Sequence, residues 1–359
     1  MKSLPNIKWL HESTLNAYSQ VFFSNHLGFA YLLILVSFMS FNGGVAGLFS
    51  VLAANLMAYF MGFNEDNTRK GFYSFNALLV GLGLGVFYVP SIPLYIVLFF
   101  ISVLCLFITL ALEGIFTKYG LPYLSIPFLL ALWIVILASR HFQALEIDNS
   151  NLYWMNEAYA WGGAWLLGFF EFFQNLPIPE ALRIYFKSLG AIFFQYNILA
   201  GIGIALGLLW YSRISFVLSL LGFLSAYYYY DFIGADITEL SYAYIGFNYI
   251  LTAIAIGGYF VIPSMASYVW VILLIPIISF LMTSTSAFLS LFQLSIYSLP
   301  FNIVVILFIY ILKLRIKAPK YLHLTLAQYG QAEKNRYRFL NYKDRFWSEQ
   351  YLPIHLPFW

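Results

Sequence analysis

Apolar residues fill most of the chain from Leu27 to Leu312, interrupted by short polar stretches and by stretches containing Gly or Pro. A helix needs roughly 20 apolar residues to cross the hydrocarbon core of a membrane. The apolar runs therefore predict ten transmembrane helices, five in each half of the chain, at 27–42, 45–63, 74–89, 92–112, 121–139, 196–211, 214–230, 244–262, 268–287 and 296–312. Two shorter apolar segments, near 18–26 and 187–195, predict short tilted or re-entrant helices.

The same polar and aromatic landmarks occur twice along the chain, in the same order. An N-x-x-L pattern is followed about fifty residues later by S-x-P-F, and the copies are Asn76, Leu79, Ser125, Pro127, Phe128 and Asn248, Leu251, Ser298, Pro300, Phe301. The two Asn residues are 172 positions apart and the two Ser residues 173. Nearly the same offset relates Gly62 to Gly234 and Phe22-Phe23 to Phe193-Phe194. Such a duplication in an apolar chain is typical of transport proteins that build a site from two repeats.

The composition is that of an all-α polytopic membrane protein, because 62% of the residues are hydrophobic and only 9% are charged. Half of the 18 Lys and Arg residues lie between Lys313 and Arg345, and Lys2 and Lys8 precede the first span. Basic residues accumulate on the cytoplasmic side, so we predict a multi-pass protein of the cell (inner) membrane with both termini in the cytoplasm. Two cytoplasmic termini require an even number of spans, and an odd five in each half makes the repeats inverted. The net charge of +3 reflects the C-terminal tail and predicts no nucleic-acid partner.

Five segments follow from this pattern. They are a cytoplasmic N-terminal segment at 1–17, a first membrane repeat at 18–140, an interfacial linker at 141–186, a second membrane repeat at 187–312 and a basic cytoplasmic tail at 313–359. The linker is rich in Trp, which concentrates at membrane–water interfaces. The tail mixes Lys and Arg with aromatic residues, and its predicted partner is anionic membrane lipid.

Ionisable residues are rare in the predicted spans. Coupled transporters place such groups in the membrane because these groups carry the ion. Here Glu113 and Glu171 stand in apolar surroundings, whereas the other acids near the spans are predicted at an aqueous mouth: Glu65, Asp66, Asp231, Asp236 and Glu239. No His has the spacing to another His, Cys or acid that a metal site needs, and no phosphate-binding loop or nucleophile motif occurs. The sequence therefore predicts neither an enzyme nor a cofactor.

The polar groups that recur are neutral. Ser125 and Ser298 each precede a Pro by two positions, and a Pro inside an apolar run frees backbone carbonyls that a membrane tolerates only when they are buried or line a wet cavity. A hydroxyl beside freed carbonyls, with the duplicated Phe23 and Phe194 as flat walls, would suit a small, planar, neutral molecule rich in N–H donors. The alternative is that Ser-x-Pro only permits close helix packing.

The residues that recur resemble those of the urea transporter family of urea channels, and the chain looks like a bacterial-type member of that family. That family carries a Gln-Val-x-Phe segment, a G-x-Y-G-[YF]-N-x-x-L-V-G box and an L-P-x-x-T-x-P-F box once in each half. The matching segments are Gln20-Val21-Phe22-Phe23, Gly71 to Gly81 and Leu121 to Phe128, and then Ala191 to Phe194, Ile245 to Leu251 and Leu294 to Phe301. The resemblance covers roughly residues 18 to 310.

The resemblance implies a homotrimer with one pore in each protomer and passive conduction of urea. The residues that match the family's pore positions are Gln20, Phe23, Leu79, Ser125, Phe194, Leu251 and Ser298. The second pore glutamine is missing, since Ala191 holds its position. Gln195, four residues on, would share a helix face with Ala191 and substitute in part if this segment is helical.

Three hypotheses follow. The first is a passive channel for urea, with close analogues or ammonia as further solutes. The second is an ion-coupled secondary transporter of a small neutral amide on the same duplicated scaffold. The third is a membrane scaffold that does not conduct, and the change at Ala191 is the only observation that supports it.

Overall fold

The computed structural model describes residues 5–148, 154–235, 246–315 and 330–341, and this part of the chain is helical. The helices are α1 (Ile7–Gln20), α2 (Leu27–Ser37), α3 (Phe41–Met61), α4 (Glu65–Arg69), α5 (Phe75–Phe87), α6 (Ile92–Phe116), α7 (Ile126–Ser139), α8 (Trp154–Gln174), α9 (Glu180–Ala191), α10 (Ile198–Tyr211), α11 (Arg213–Ile233), α12 (Phe247–Ile254), α13 (Met265–Ser290), α14 (Leu299–Leu314) and α15 (Ala332–Asn341). A 3₁₀ turn, Thr117–Tyr119, extends α6, and a π-helical turn, Ala255–Tyr259, extends α12.

Each of the ten predicted spans coincides with an apolar helix, but the helices differ in length. Four are long enough to cross a membrane: Phe41–Met61, Ile92–Tyr119, Arg213–Ile233 and Met265–Ser290. The other six are shorter, with 10–17 residues each. At a rise of 1.5 Å per residue, the 11 residues of α2 extend about 16 Å, which is roughly half of the hydrocarbon core. The chain is thus a polytopic helical membrane protein, and ten complete crossings remain a prediction.

Short and long helices alternate in the same order in both halves of the chain. The series α2, α3, α5, α6, α7 runs short, long, short, long, short, and α10, α11, α12, α13, α14 repeats it. The ends match as well: Ser40 and Ser212 cap the N-termini of α3 and α11, whose C-termini close on Gly62 (φ 77°) and Gly234 (φ 68°). Glycine suits this left-handed position because it lacks a Cβ. The duplication in sequence therefore corresponds to a duplication of local structure, while the inverted arrangement of the two repeats stays a prediction.

Two helices begin well before the short apolar segments that the sequence predicts. Segment 18–26 contains only the end of α1, which starts at Ile7, and segment 187–195 contains only the end of α9, which starts at Glu180. Both helices are amphipathic, and α1 buries Leu15 and Tyr18 although Lys8 is exposed. Averaged hydropathy hides such a helix because its polar face offsets its apolar face. The linker predicted at 141–186 likewise contains α8, kinked at Gly163, and the first part of α9.

The chain forms two compact units. One contains α1 to α5, α6 up to Leu110, α7 to α9 and α10 up to Gly207. Inside it, α3 and α5 pack closely because small residues face one another. A Cβ added to Gly47 would lie 2.7 Å from Leu82, and one added to Gly81 would lie 2.6 Å from the carbonyl oxygen of Ala46. Small residues at helix contacts are the usual means of close packing in a membrane.

The other unit contains α11 to α15 and the segment Ala111–Leu124. Helix α11 packs on α12, where a Cβ added to Gly222 would lie 2.7 Å from the carbonyl oxygen of Tyr249. The hydroxyl of Tyr249 bonds to those of Tyr230 (3.1 Å) and Ser279 (2.8 Å) and so ties α12 to α11 and α13. These polar groups are buried and satisfied by one another, which rigidifies a helix contact in an apolar environment.

Candidate functional site

Helix α1 ends in a turn that forces an aromatic residue into the left-handed region. The N–H of Phe23 donates to the carbonyl of Gln20 (2.9 Å), and the N–H of Ser24 donates to that of Ser19 (3.0 Å). These two bonds form a Schellman motif, whose left-handed position usually holds Gly. Here Phe23 occupies it with φ 58°. A bulky residue in this conformation costs about 1–3 kcal/mol, so the fold accepts strain in order to place this ring.

Helix α9 ends in the same turn. The N–H of Phe194 donates to the carbonyl of Ala191, and the N–H of Gln195 donates to that of Gly190, each at 3.0 Å. Phe194 also has φ 58°. The same strained position therefore holds a phenylalanine in both halves, and these are the two phenylalanines that the sequence singles out. Strain at equivalent points of a duplicated chain makes both positions candidates for a functional role.

The two turns contact each other through their neighbouring aromatic residues. The rings of Phe22 and Phe193 stack with centroids 6.1 Å apart and planes 5° from parallel. The ring of Tyr18 stacks on Phe193 at 6.2 Å. All three residues are fully buried. The aromatic stack therefore joins the C-terminal turns of α1 and α9 and fixes the positions of Phe23 and Phe194, each of which follows a stacked residue directly.

Phe194 itself lies in a pocket of aromatic edges. Its ring makes edge contacts with Phe87 (centroids 5.9 Å apart) and Phe128 (6.2 Å). A Cβ added to Gly83 would lie only 3.0 Å from the Cζ atom of Phe194. Gly83 on α5 thus leaves the room that this ring occupies. The recurring motifs do not include Gly83, and only its place one turn after Leu79, on the same helix face, could have marked it from the sequence.

Ser125 and Ser298 begin α7 and α14, yet neither side chain caps its own helix. A capping serine normally accepts from the N–H of the second or third helical residue. The second residue is a proline in both helices, Pro127 and Pro300, and has no N–H. The third N–H is bound by another helix, as shown below. The hydroxyls of Ser125 and Ser298 are therefore not used for capping, although both residues are buried.

The duplicated Asn residues of the N-x-x-L pattern provide that cap from a distance. The Oδ1 of Asn76 accepts from the N–H of Phe128 (3.3 Å), and the Oδ1 of Asn248 accepts from the N–H of Phe301 (3.2 Å). Asn248 also donates to the carbonyl of Tyr297 (2.9 Å). Both Asn residues are completely buried. We name each of these interhelical contacts an Asn latch; the sequence marks the Asn residues, but their bonding partners are visible only in the structure.

Each latch ties a predicted pore leucine to a predicted pore serine. Leu79 lies one turn beyond Asn76 on α5, and Leu251 lies one turn beyond Asn248 on α12. Gln20, Phe23, Leu79, Ser125 and Phe194 belong to one compact unit, and Leu251 and Ser298 belong to the other. Gln20 and Phe23 are partly exposed, whereas the remaining five residues are buried.

Gln195 is engaged elsewhere and does not share a helix face with Ala191. It is buried, and its Nε2 donates to the carbonyl of Ser37 at the end of α2 (3.4 Å). The prediction that Gln195 substitutes at Ala191 is therefore not supported, because the helix ends at Ala191 and the turn points the next residues in other directions. Gln20 thus has no amide counterpart at the matched position of the second half.

Among the residues whose burial the structure describes, Asp, Glu, Lys, Arg and His are exposed or half-buried, and none is fully buried. Glu65, Asp66, Glu171 and Asp231 are exposed and Glu113 is half-buried. Asp236 and Glu239 lie outside the described residues. In the same described ranges, no group of three His, Cys, Asp or Glu residues could hold a metal ion.

Fold and site together define the class of protein: a polytopic, helical membrane protein. In both halves, one helix ends at a phenylalanine in a strained backbone conformation, and another begins at a serine whose side chain does not cap it. Residues 11–313 match the Urea transporter family. This match covers most of the chain, so the protein belongs to the urea transporter family, as its motifs indicate. Membership implies that the protein transports urea across a membrane, because the family is one of transporters and not of enzymes.

Proposed function

We propose that this protein conducts urea passively through a pore in each protomer of a homotrimer in the cell (inner) membrane, with both termini in the cytoplasm. The observation that carries the proposal is the family match over residues 11–313, together with the duplicated Ser125 and Ser298 at the starts of two helices that the Asn latches hold in the same way.

Urea is small, planar and uncharged, with N–H donors and one carbonyl acceptor. Leaving water costs about 1–3 kcal/mol for each donor or acceptor that finds no partner. Ser125 and Ser298 offer hydroxyls that both donate and accept, and the amide of Gln20 does the same. The rings of Phe23 and Phe194 offer flat faces, and Leu79 and Leu251 add apolar walls that exclude hydrated ions. We assign these seven residues to the pore.

The absence of buried charge in the described residues favours a passive mechanism over an ion-coupled one. A coupled transporter needs a titratable or ion-binding group in the membrane. The half-buried Glu113 is the residue that favours the second hypothesis, and it lies near the end of α6.

Reconstituted proteoliposomes test the proposal. Stopped-flow light scattering should show rapid urea entry that is unchanged by an imposed proton or sodium gradient, while thiourea, acetamide and glycerol measure the selectivity. Empty liposomes, and liposomes with the Ser125→Val, Ser298→Val double variant, are the controls. Urea accumulation against its gradient would support the coupled transporter, and entry no faster than in empty liposomes would support the non-conducting scaffold.

A further inference from the structure

Three half-buried polar residues form a stripe along α1, and the stripe ends at a residue assigned to the pore. Glu12, Asn16 and Gln20 are spaced four positions apart, so each lies beside the next on the same face of the helix. Gln20 is the last residue of α1. The rotation of α1 about its own axis therefore decides where the amide of Gln20 lies.

The last residue of α4, Arg69, contacts the first two members of the stripe. The Nδ2 of Asn16 donates to the backbone carbonyl of Arg69 (2.8 Å), and the Nε of Arg69 lies 4.0 Å from the Oε2 of Glu12. The ion pair is exposed to water, and such pairs contribute little. The hydrogen bond from Asn16 is therefore the contact that holds this face of α1. We name these two contacts the Arg69 clasp.

The chain just after the clasp lies directly against the backbone of α1. A Cβ added to Gly71 would lie 2.4 Å from the backbone nitrogen of Ala17 and 2.5 Å from the carbonyl carbon of Asn16, and Gly71 has φ 80°. Glycine alone has no Cβ and adopts this backbone conformation without strain. The loop from α4 to α5 is thus held close to α1 at the level of Asn16, one turn before Gln20.

The corresponding stripe of the second repeat is held in another way. The positions of α9 that lie 171 residues later hold Arg183, Lys187 and Ala191. The guanidinium of Arg183 donates to the carbonyls of Gln174 (2.6 Å) and Leu176 (3.0 Å), at the end of α8 and just beyond it. The two repeats therefore differ along the whole stripe, and the Arg69 clasp belongs to the repeat that has the pore glutamine.

We propose that Asn16 is a positioning residue for the urea-binding amide of Gln20: its bond to the Arg69 carbonyl fixes the rotation of α1 at the turn before Gln20. This inference rests on the proposed function. Without the bond, α1 is free to rotate slightly about its axis, and the amide of Gln20 spreads over several positions. Urea then binds more weakly, while the pore itself stays open.

The first test is Asn16→Leu, which keeps the approximate shape of the side chain and removes its N–H donors. The urea concentration that gives half-maximal flux in proteoliposomes should rise about 3- to 5-fold, the effect of one hydrogen bond, and the maximal flux should stay close to the wild type. Asn16→Gln retains the donor and should restore the wild-type half-maximal concentration, and Glu12→Gln, which removes the exposed ion pair, should leave it unchanged. A loss confined to the maximal flux, or no change in Asn16→Leu, would overturn the proposal.

The second test is a double-mutant cycle, which separates action through Gln20 from a general effect of Asn16 on the fold. In a Gln20→Ala background, Asn16→Leu should cause no further rise in the half-maximal concentration, since no amide remains to be positioned. In the matched Glu12→Gln background, the rise caused by Asn16→Leu should persist in full. An equal rise with and without the Gln20 amide would overturn the inference.

A second variant keeps the proposal testable if Asn16→Leu fails to assemble. Asn16→Ala also removes the donor, and Ala is the best helix former, so the same two results are expected from it. Wild-type protein without any urea flux would overturn the proposed function. Normal wild-type flux, together with a Gln20→Ala effect and an additive cycle, would overturn only the role of Asn16.

Discussion

Ser125 and Ser298 are buried polar residues whose hydroxyls their own helices do not use for capping. Replacing both with Val keeps the approximate shape and removes both hydroxyls, and no helix loses a cap. We expect urea flux in proteoliposomes to fall at least about tenfold, since two hydrogen bonds to the solute are lost at about 1 kcal/mol each.

The matched control for this pair is Thr, which has the shape of Val and retains the hydroxyl. Ser125→Thr, Ser298→Thr should conduct urea at a rate close to the wild type. If the Val variant assembles and conducts as fast as the Thr variant, the serines are structural and their assignment to the pore is wrong.

Gly83 leaves the space that the ring of Phe194 occupies. A Cβ at this position would lie 3.0 Å from Cζ and 3.2 Å from Cε1 of that ring, so Gly83→Ala should displace the ring and lower urea flux several-fold. The change should not unfold α5, because Ala is the better helix former by about 1 kcal/mol.

Gly114 on α6 provides the control for Gly83, because an added Cβ there meets nothing within 4 Å. Gly114→Ala should leave urea flux unchanged in the same assay. Equal flux from both alanine variants would show that the position of the Phe194 ring does not limit conduction.

At the scale of elements, the Asn latch holds the start of one helix against the side of another. Asn76→Leu would leave the N–H of Phe128 without the Oδ1 that accepts from it. A buried donor that loses its partner costs about 1–3 kcal/mol, so the detergent-solubilised variant should unfold at a lower temperature than the wild type.

Asn55 on α3 is a matched control for the latch. It is also fully buried, and neither polar atom of its side chain has a hydrogen-bond partner among the described residues. Asn55→Leu should therefore not lower the unfolding temperature. An equal loss in both variants would mean that the cavity or shape change, and not the latch, accounts for the effect of Asn76→Leu.

The elements also show what the sequence could and could not predict. Long apolar runs located the long helices α3, α6, α11 and α13 because hydropathy averaged over such a run is unambiguous. The sequence merged short helices with the turns beside them, since turns such as those at Leu124 and Tyr297 are made of apolar residues. The left-handed backbone conformation of these two residues, with φ 48° and 42°, could not be predicted from the sequence because neither residue is Gly. The amphipathic helices α1 and α9 were shortened for the opposite reason, because their polar faces lowered the average.

The candidate site, like the fold, could be predicted from the sequence only in part. Duplication of the motifs identified the strained phenylalanines and the serines without any structural information, because a pattern that occurs twice shows which residues the fold retains. The role of Gln195 depends on a hydrogen bond between two residues that no periodicity connects to a function. Gln195 shows the limit most clearly: its position one turn after Ala191 suggested a shared face, but the left-handed turn at Phe194 ends the helix and sends the side chain to Ser37.

At the scale of the whole molecule, part of the basic tail packs on the protein. The side chain of Glu333 on α15 accepts from the hydroxyl of Ser212 (2.7 Å) and from the N–H of Ile214 (2.9 Å) at the start of α11. An acid is favourable at this end of a helix because of the unpaired N–H groups and the helix dipole. Ala332 is buried beside Gly258, in the π-helical turn after α12. Residues 330–341 therefore pack on the protein, whereas the tail was predicted to lie on lipid. Residues 316–329 and 342–359 lie outside the described residues.

The inverted arrangement of the repeats makes a prediction that labelling can decide. Met61 and Ile233 end the matched helices α3 and α11, 172 positions apart, with 49% and 48% of their surface exposed. With a cytoplasmic N-terminus, the second predicted span ends in the cytoplasm and the seventh ends outside. A membrane-impermeant maleimide should therefore label Ile233→Cys in intact cells and Met61→Cys only after lysis. The native Cys105 is fully buried and contributes little background. If the repeats were parallel, an even number of crossings would separate the two positions. Both cysteines would then be labelled from the same side of the membrane, which would contradict the inverted arrangement.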